Sequence, residues 1–150
     1  MKVISIVGKQ KSGKTSLIER LIASLKFYGS VGCIKHAQEL EFAMPIARDT
    51  DRFFTAGAEV VVGVSGERSI KLSGSRDLAE LIEEMKRSGI TFLLVEGFKS
   101  SALPKVALSE YPPDEVKNIR KRVELKGGTE LPETVVQELV EFILALDEYA

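Results

Sequence analysis

Lys2-Val3-Ile4-Ser5-Ile6-Val7, followed by Gly8-Lys9-Gln10-Lys11-Ser12-Gly13-Lys14-Thr15 and then by Ser16 through Gly29, is the stretch that decides how this chain folds. The first six residues form a β-branched run of strand length. Leu17, Ile18, Leu21, Ile22 and Leu25 recur at helical spacing and stop before Gly29, which predicts an amphipathic helix. Between strand and helix stands a complete G-x-x-x-x-G-K-[ST] segment. Its glycines let the backbone curl until successive N–H groups converge, and the following helix adds the positive end of its dipole at that point. Such a point suits phosphate. In this pattern Lys14 reaches the β- and γ-phosphates of a nucleoside triphosphate, and the Thr15 hydroxyl ligates the magnesium ion bridging them. Gly8, Lys11, Ser12, Gly13 and Ser16 complete the expected lining. The alternative is a glycine-rich turn without a ligand, which does not call for strand, loop and helix in this order.

With 150 residues, 44% hydrophobic and 29% charged, the composition fits one globular domain over residues 1–150. The net charge of −1 and a pI near 6.0 offer no positive field for nucleic acid or an anionic membrane. Cys33 has no second cysteine to pair with, which excludes an internal disulfide and a multi-cysteine zinc site. Its apolar strand predicts a buried, inert thiol. The apolar run after Lys2 is too short for a signal peptide, and no later segment approaches a membrane span. A soluble cytoplasmic protein is expected.

Val31–Lys35 reads as a second strand, closing a βαβ unit. Residues 37–48 look irregular, Asp49 to Ala56 reads as a short helix stopped by Gly57, and residues 59–73 form an inserted β-hairpin turning at Gly66-Glu67-Arg68. A helix is expected from near Asp77, with Glu80 completing a capping box, to Gly89. Ile90 to Val95 is the most continuously apolar strand, as for the centre of a parallel sheet covered on both faces. Lys105 to Ser109 and Arg122 to Lys126 are further strand candidates, and the last helix begins near Pro132. The predicted class is α/β: a P-loop NTPase with a mostly parallel sheet, flanked by helices and carrying the inserted hairpin.

In open α/β sheets ligands lie beyond the carboxyl ends of the strands. Glu96-Gly97-Phe98-Lys99 follows the central strand, where the Glu96 carboxylate could hold a magnesium-bound water or orient an attacking one. An ordinary exposed glutamate is the alternative. Lys35-His36 follows the second strand, and an imidazole or amine there could meet phosphate or be merely solvated. Asp49 is a candidate metal carboxylate and equally a natural helix N-cap. Lys117, Arg120, Lys121, Arg122 and Lys126 form a basic cluster diluted by Glu115 and Glu124 and free of aromatics, which reads as a solvated face rather than a nucleic-acid surface.

Gly8 to Thr15, Ile34-Lys35-His36, Asp49-Thr50 leading to Ala56-Gly57-Ala58, and Val95-Glu96-Gly97-Phe98-Lys99 together resemble the molybdopterin-guanine dinucleotide biosynthesis protein B (MobB) family, in order and approximate spacing over residues 1 to about 108. The resemblance implies a GTP- and magnesium-binding accessory protein that assists attachment of GMP to molybdopterin. It also implies a homodimer with slow GTPase activity, partnered with the nucleotidyltransferase of that pathway. Carried over residue by residue, Gly8, Gly13, Lys14 and Thr15 would hold triphosphate and magnesium, and Asp49 and Glu96 would surround the ion. Lys14 and Glu96 would carry the chemistry; Lys35, His36 and Lys99 would border the nucleotide or pterin phosphate. The chain departs from the family in having Thr91 where an Asp is usual near the start of the V-E-G strand, and in the approach Pro45-Ile46-Ala47-Arg48 to Asp49. No N-K-x-D or S-x-A-like segment reads a guanine base. A small-molecule kinase using the same loop is the alternative; it needs a hinged Arg-rich lid, for which the Arg120–Arg122 segment lacks flanking glycines. A nucleotide-gated metallochaperone finds too few soft ligands in His36 and Cys33.

Overall fold

The computed structural model describes every residue except 39, 41–44 and 125–130, and describes 45–47 by backbone alone. Chain order runs β1 (Lys2–Val7), α1 (Lys14–Leu25), β2 (Val31–Lys35), α2 (Pro45–Thr55), β3 (Val60–Val64), β4 (Ser69–Ser73), α3 (Leu78–Arg87), β5 (Phe92–Glu96), β6 (Lys105–Ala107), β7 (Ile119–Arg122) and α4 (Glu133–Leu144). Two compact units result, Met1–His36 with Leu81–Ala150, and Ala37–Glu80.

In the larger unit the strands lie side by side as β2-β5-β1-β6-β7, with every adjacent pair parallel. Parallel strands cannot be joined by tight turns, so crossovers carry the chain back and leave helices on the sheet. Side-chain alternation decides which residues they cover. Ile4 and Ile6 of β1, Phe92 and Leu94 of β5 and Val106 of β6 share a core with Leu17, Leu21 and Leu25 of α1 and with Val136, Leu139 and Ile143 of α4. Each of these side chains contributes about 1.5–3 kcal/mol through its burial. On the opposite face Val7 and Ala107 pack with Tyr111 and Val116. Phe92 to Val95 are all at most 3% exposed, because β5 lies between β2 and β1. With β1 at the centre, the Gly8–Thr15 loop leaves the middle of the sheet's carboxyl edge and Glu96 ends the strand beside it.

The smaller unit packs α2 against the antiparallel β3–β4 pair, registered from Val60↔Ser73 to Val64↔Ser69. Ser65 closes the turn, its hydroxyl accepting from the amides of Glu67 and Arg68. Alternation leaves Val60, Val62 and Val64 exposed in a row at 54, 57 and 67%.

Three features differ from the sequence-based expectation. α2 starts at Pro45, whose missing N–H costs nothing in a first helical turn, so Asp49 lies inside the helix and is not its N-cap. β7 spans Ile119–Arg122 instead of starting at Arg122; it is the edge strand, and Arg120 and Arg122 are exposed while Ile119 and Lys121 are half-buried. Lys126 lies outside the described residues. Third, Cys33 is exposed rather than buried. It stands on edge strand β2 level with Leu94, and the helical cover on that face reaches Val31 but not Cys33. In keeping with the rejected lid, Arg120 and Arg122 are held in a strand.

Helix α3 has the N-cap half of the expected capping box, Asp77 Oδ1 accepting the Glu80 amide at 2.9 Å, while the Glu80 carboxylate pairs with Arg76 instead of returning to Asp77.

Candidate functional site

The loop between β1 and α1 turns through two left-handed residues, Lys11 at φ 59° and Gly13 at φ 86°. A non-glycine residue in that region is costly, and such strain persists where the surroundings impose it. Gly8 faces Ser12 so closely that a Cβ on it would stand 2.2 Å from Ser12 Oγ and 3.2 Å from Lys14 Cγ. α1 then begins without a side-chain cap and without an acidic residue in its first turn. Its first intrahelical bond is Leu17 N to Gly13 O, so the amides of Lys14, Thr15 and Ser16 find no acceptor within the helix. Ser12 Oγ is buried with no hydrogen-bond partner. Lys14 Nζ is folded onto the loop itself, donating to Gly8 O at 3.0 Å and Lys9 O at 2.8 Å.

Glu96 is level with Ile6 of β1 on one side and Lys35 of β2 on the other. Its side chain is 14% exposed, and Lys35 Nζ stands 3.7 Å from Oε2. His36 donates its amide to Glu96 O at 3.0 Å and lays its ring 4.6 Å from that of Phe98. This close passage requires Gly97, which has φ 90° and whose added Cβ would meet His36 Cβ at 3.2 Å. Phe98 itself takes φ 53°. Lys99 turns to Glu115 at 3.7 Å and lies 4.7 Å from the centroid of the Tyr111 ring.

The larger unit therefore contains Gly8, Lys11, Ser12, Gly13, Lys14, Thr15, Ser16, Lys35, His36, Glu96 and Lys99, on strand ends, loops and the first turn of α1 at the carboxyl edge of one sheet. Asp49 belongs to the smaller unit, where its exposed carboxylate lies 3.8 Å from Arg52. Thr91 sits at the other end of β5, about 16 Å from Glu96 at roughly 3.3 Å per residue. There it ties the starts of the strands together, bonding Ser30 and Lys2 through its backbone. An aspartate at that position would not reach the carboxyl edge.

Two participants escaped the sequence reading. Ser109, just past β6, accepts the Lys9 amide at 3.0 Å and so braces the loop from the neighbouring strand. Phe98 supplies the ring against His36. A serine and a phenylalanine carry no local signal of such roles, which depend on how β6 and β2 flank their neighbours.

Cys33 lies on the face of β2 that also carries Lys35. Partial desolvation by the neighbouring strand, and then the negative charge of Glu96, push its thiol above the usual range although the residue is exposed. The thiol is thus exposed yet not activated. Replacing Glu96 by Gln removes the second cause, so alkylation of Cys33 at pH 8 should accelerate. An unchanged or slower rate in a thiol-trapping assay would contradict this electrostatic coupling.

The described residues contain no group of three or more His, Cys, Asp or Glu able to enclose a metal alone. A magnesium ion needs no such cage, since it commonly keeps one or two protein ligands besides phosphate oxygens and waters. The described residues also include no helix long and apolar enough to cross a membrane.

Residues 3–124 match the family described as molybdopterin guanine dinucleotide synthesis protein B, MobB. A probable molybdopterin-guanine dinucleotide biosynthesis adapter protein of Bacillus subtilis is 38% identical over 111 residues, 71% of this chain and 64% of its own. A putative adapter protein of the same description from Methanocaldococcus jannaschii is 29% identical over 112 residues, 72% of this chain and 47% of its own. The chain thus spans less than two thirds of the length of these curated relatives. The crystal structure of Bacillus subtilis MobB superposes with a TM-score of 0.69 at 25% identity, covering 94% of this chain and 97% of that one. A MobB homolog from Bacillus stearothermophilus, at 21% identity and TM-score 0.70, shares the fold.

Proposed function

The chain belongs to the MobB family, and from that premise we propose that it is a GTP-binding adapter of molybdopterin guanine dinucleotide biosynthesis with slow GTP hydrolysis. The observation that carries nucleotide binding is the Gly8–Thr15 cradle: a position where a Cβ would strike Ser12, a buried Ser12 hydroxyl without partner, and uncapped helix amides around one loop. These donors match the tail of a triphosphate and leave no room for a bulkier side chain. The adapter role comes from the names of the relatives.

In this reading the amides of Gly13 through Ser16 hold the β- and γ-phosphates, and Lys14 Nζ leaves Gly8 O and Lys9 O to meet them. Thr15 and Glu96 would hold magnesium, which would supply charge neutralisation on the phosphate oxygens. Glu96 also orients the attacking water, while Lys35, 3.7 Å away, keeps its carboxylate paired when no ion is bound. His36 and Lys99 border the same edge. No arginine among these residues reaches for the developing charge, so turnover is slow. The protein works in the cytoplasm with molybdopterin and the pathway's nucleotidyltransferase. Steady-state hydrolysis slower than about one GTP per second, the lower end of kinase rates, is the expected result. Faster turnover, or phosphate delivered stoichiometrically to an added alcohol or nucleoside, would reject the reading in favour of a kinase.

The same proposal includes a homodimer joined through the hairpin. Val60, Val62 and Val64 expose an apolar row on a strand with a free edge, a combination that tends to pair. Val61, half-buried on the other side, is the wrong residue to perturb. Val62→Lys should convert the dimer to monomer in sedimentation velocity while preserving the far-UV spectrum. A Val62→Lys protein that sediments as a dimer would remove the hairpin from the interface.

A further inference from the structure

Lys105 is wholly buried and has no carboxylate partner among the described residues, an unusual state for a lysine. It begins β6, where its register partner across the sheet is Ser5 of β1, also wholly buried. Both side chains point at the chain segment that follows Glu96. Ser5 Oγ donates to Gly97 O at 2.7 Å. Lys105 Nζ donates to Ser101 O and, at 3.0 Å, to Leu103 O. Between these, Asn118 Nδ2 donates to Ala102 O at 2.8 Å, and the Ser5 amide donates to Pro104 O at 2.9 Å. The carbonyls from Ser101 to Pro104 are all satisfied by donors outside the segment or at its far end. Ser101 N in turn donates to Phe98 O at 3.0 Å, the residue held at φ 53° against His36.

A left-handed phenylalanine survives only where its neighbours over-determine it. The chain of contacts running from Lys105 through Ser101 to Phe98, and from Ser5 to Gly97, provides that determination on both sides of Lys99. We infer that Lys105 is a positioning residue: its buried ammonium clamps the loop after β5 and thereby sets the placement of Glu96, of the Phe98–His36 ring pair and of Lys99. Burial lowers its pKa, and the two carbonyl oxygens it faces are what offset its charge. Ser101 Oγ, buried without a partner in the middle of the clamped segment, indicates that the loop is shaped by its anchors and not by its own side chains.

The kinetic part of this inference rests on the GTPase reading above; the anchoring part does not. Lys105→Met keeps the length and apolar stem and removes the donors. The chain has one histidine, so the His36 Hε1 proton gives a single resolved NMR signal displaced by the Phe98 ring. In folded Lys105→Met that signal should move toward its unstructured position, and kcat for GTP should fall about tenfold or more with KM little changed, because the phosphate loop is untouched while Glu96 is misplaced. An unmoved His36 signal overturns the inference whatever the turnover, and a moved signal with wild-type kcat overturns the positioning role. If the wild-type protein has no GTPase activity, a moved signal upholds the anchoring and rejects only the GTPase reading. Should Lys105→Met not fold, Lys105→Gln, which keeps a shorter, uncharged N–H donor group, is read by the same signal, a smaller movement supporting the clamp and none overturning it. Unfolding of both variants also overturns the inference, since the lysine is then a strut of the core.

Discussion

Lys14→Ala is expected to retain the fold and to lose on the order of 10² in affinity for magnesium–GTP, equivalent to about 3 kcal/mol. The lysine is the first residue of α1, and its amine contacts two loop carbonyls rather than the core. Alanine is a favourable helix residue there, and water can take over Gly8 O and Lys9 O. What alanine cannot replace is the ammonium held on the loop carbonyls, from which it can turn to a phosphate. A diphosphate draws less on that cation than a triphosphate does, so the preference for GTP over GDP should collapse toward unity. Calorimetric titration of the two nucleotides checks this, with thermal unfolding of the apo variant as the control for fold. Undiminished triphosphate preference would mean that Lys14 does not reach the γ-phosphate.

Glu96→Gln should lower kcat for GTP hydrolysis by about 10² or more, the scale of a lost general base or water-orienting carboxylate. The substitution preserves shape at a side chain only 14% exposed and removes the charge that Lys35 faces. Binding of GTP without magnesium should be unchanged or slightly tighter, since a negative group has left the vicinity of the phosphates. The magnesium concentration for half-maximal turnover should rise. Single-turnover rates across a magnesium series separate these effects. If kcat stays at the wild-type value, Glu96 is a structural partner of Lys35 and not part of the chemistry. Stability should change little, because the Lys35–Glu96 pair has one exposed member and pairs of that kind are worth at most about 1 kcal/mol.

The turn from β1 into α1 was legible because everything it needs is local: a β-branched strand, glycines where the backbone must turn, and an amphipathic helix directly behind. Glu96 was legible for a related reason, as the first polar residue after an apolar run that had to be a central strand. Cys33 was misread because alternation tells which side a residue faces but not how far a helix on that side extends over an edge strand. The start of α2 was hidden by Pro45, which breaks a helix interior but is welcome at its first position. β7 escaped because an edge strand reading Ile-Arg-Lys-Arg carries the pattern of a solvated loop. The anchors Ser5, Lys105 and Ser109 were out of reach altogether. Their partners are Gly97, Ser101, Leu103 and Lys9, and all but the intra-loop lysine contacts span strands brought together by the sheet order.

The most direct test is calorimetric titration of the full chain with GTP, GDP and ATP, each with and without magnesium. One nucleotide per chain should bind, with GTP in the presence of magnesium tighter than GDP and tighter than ATP. Absence of any magnesium-dependent binding of a triphosphate at millimolar concentration would contradict the account at its root.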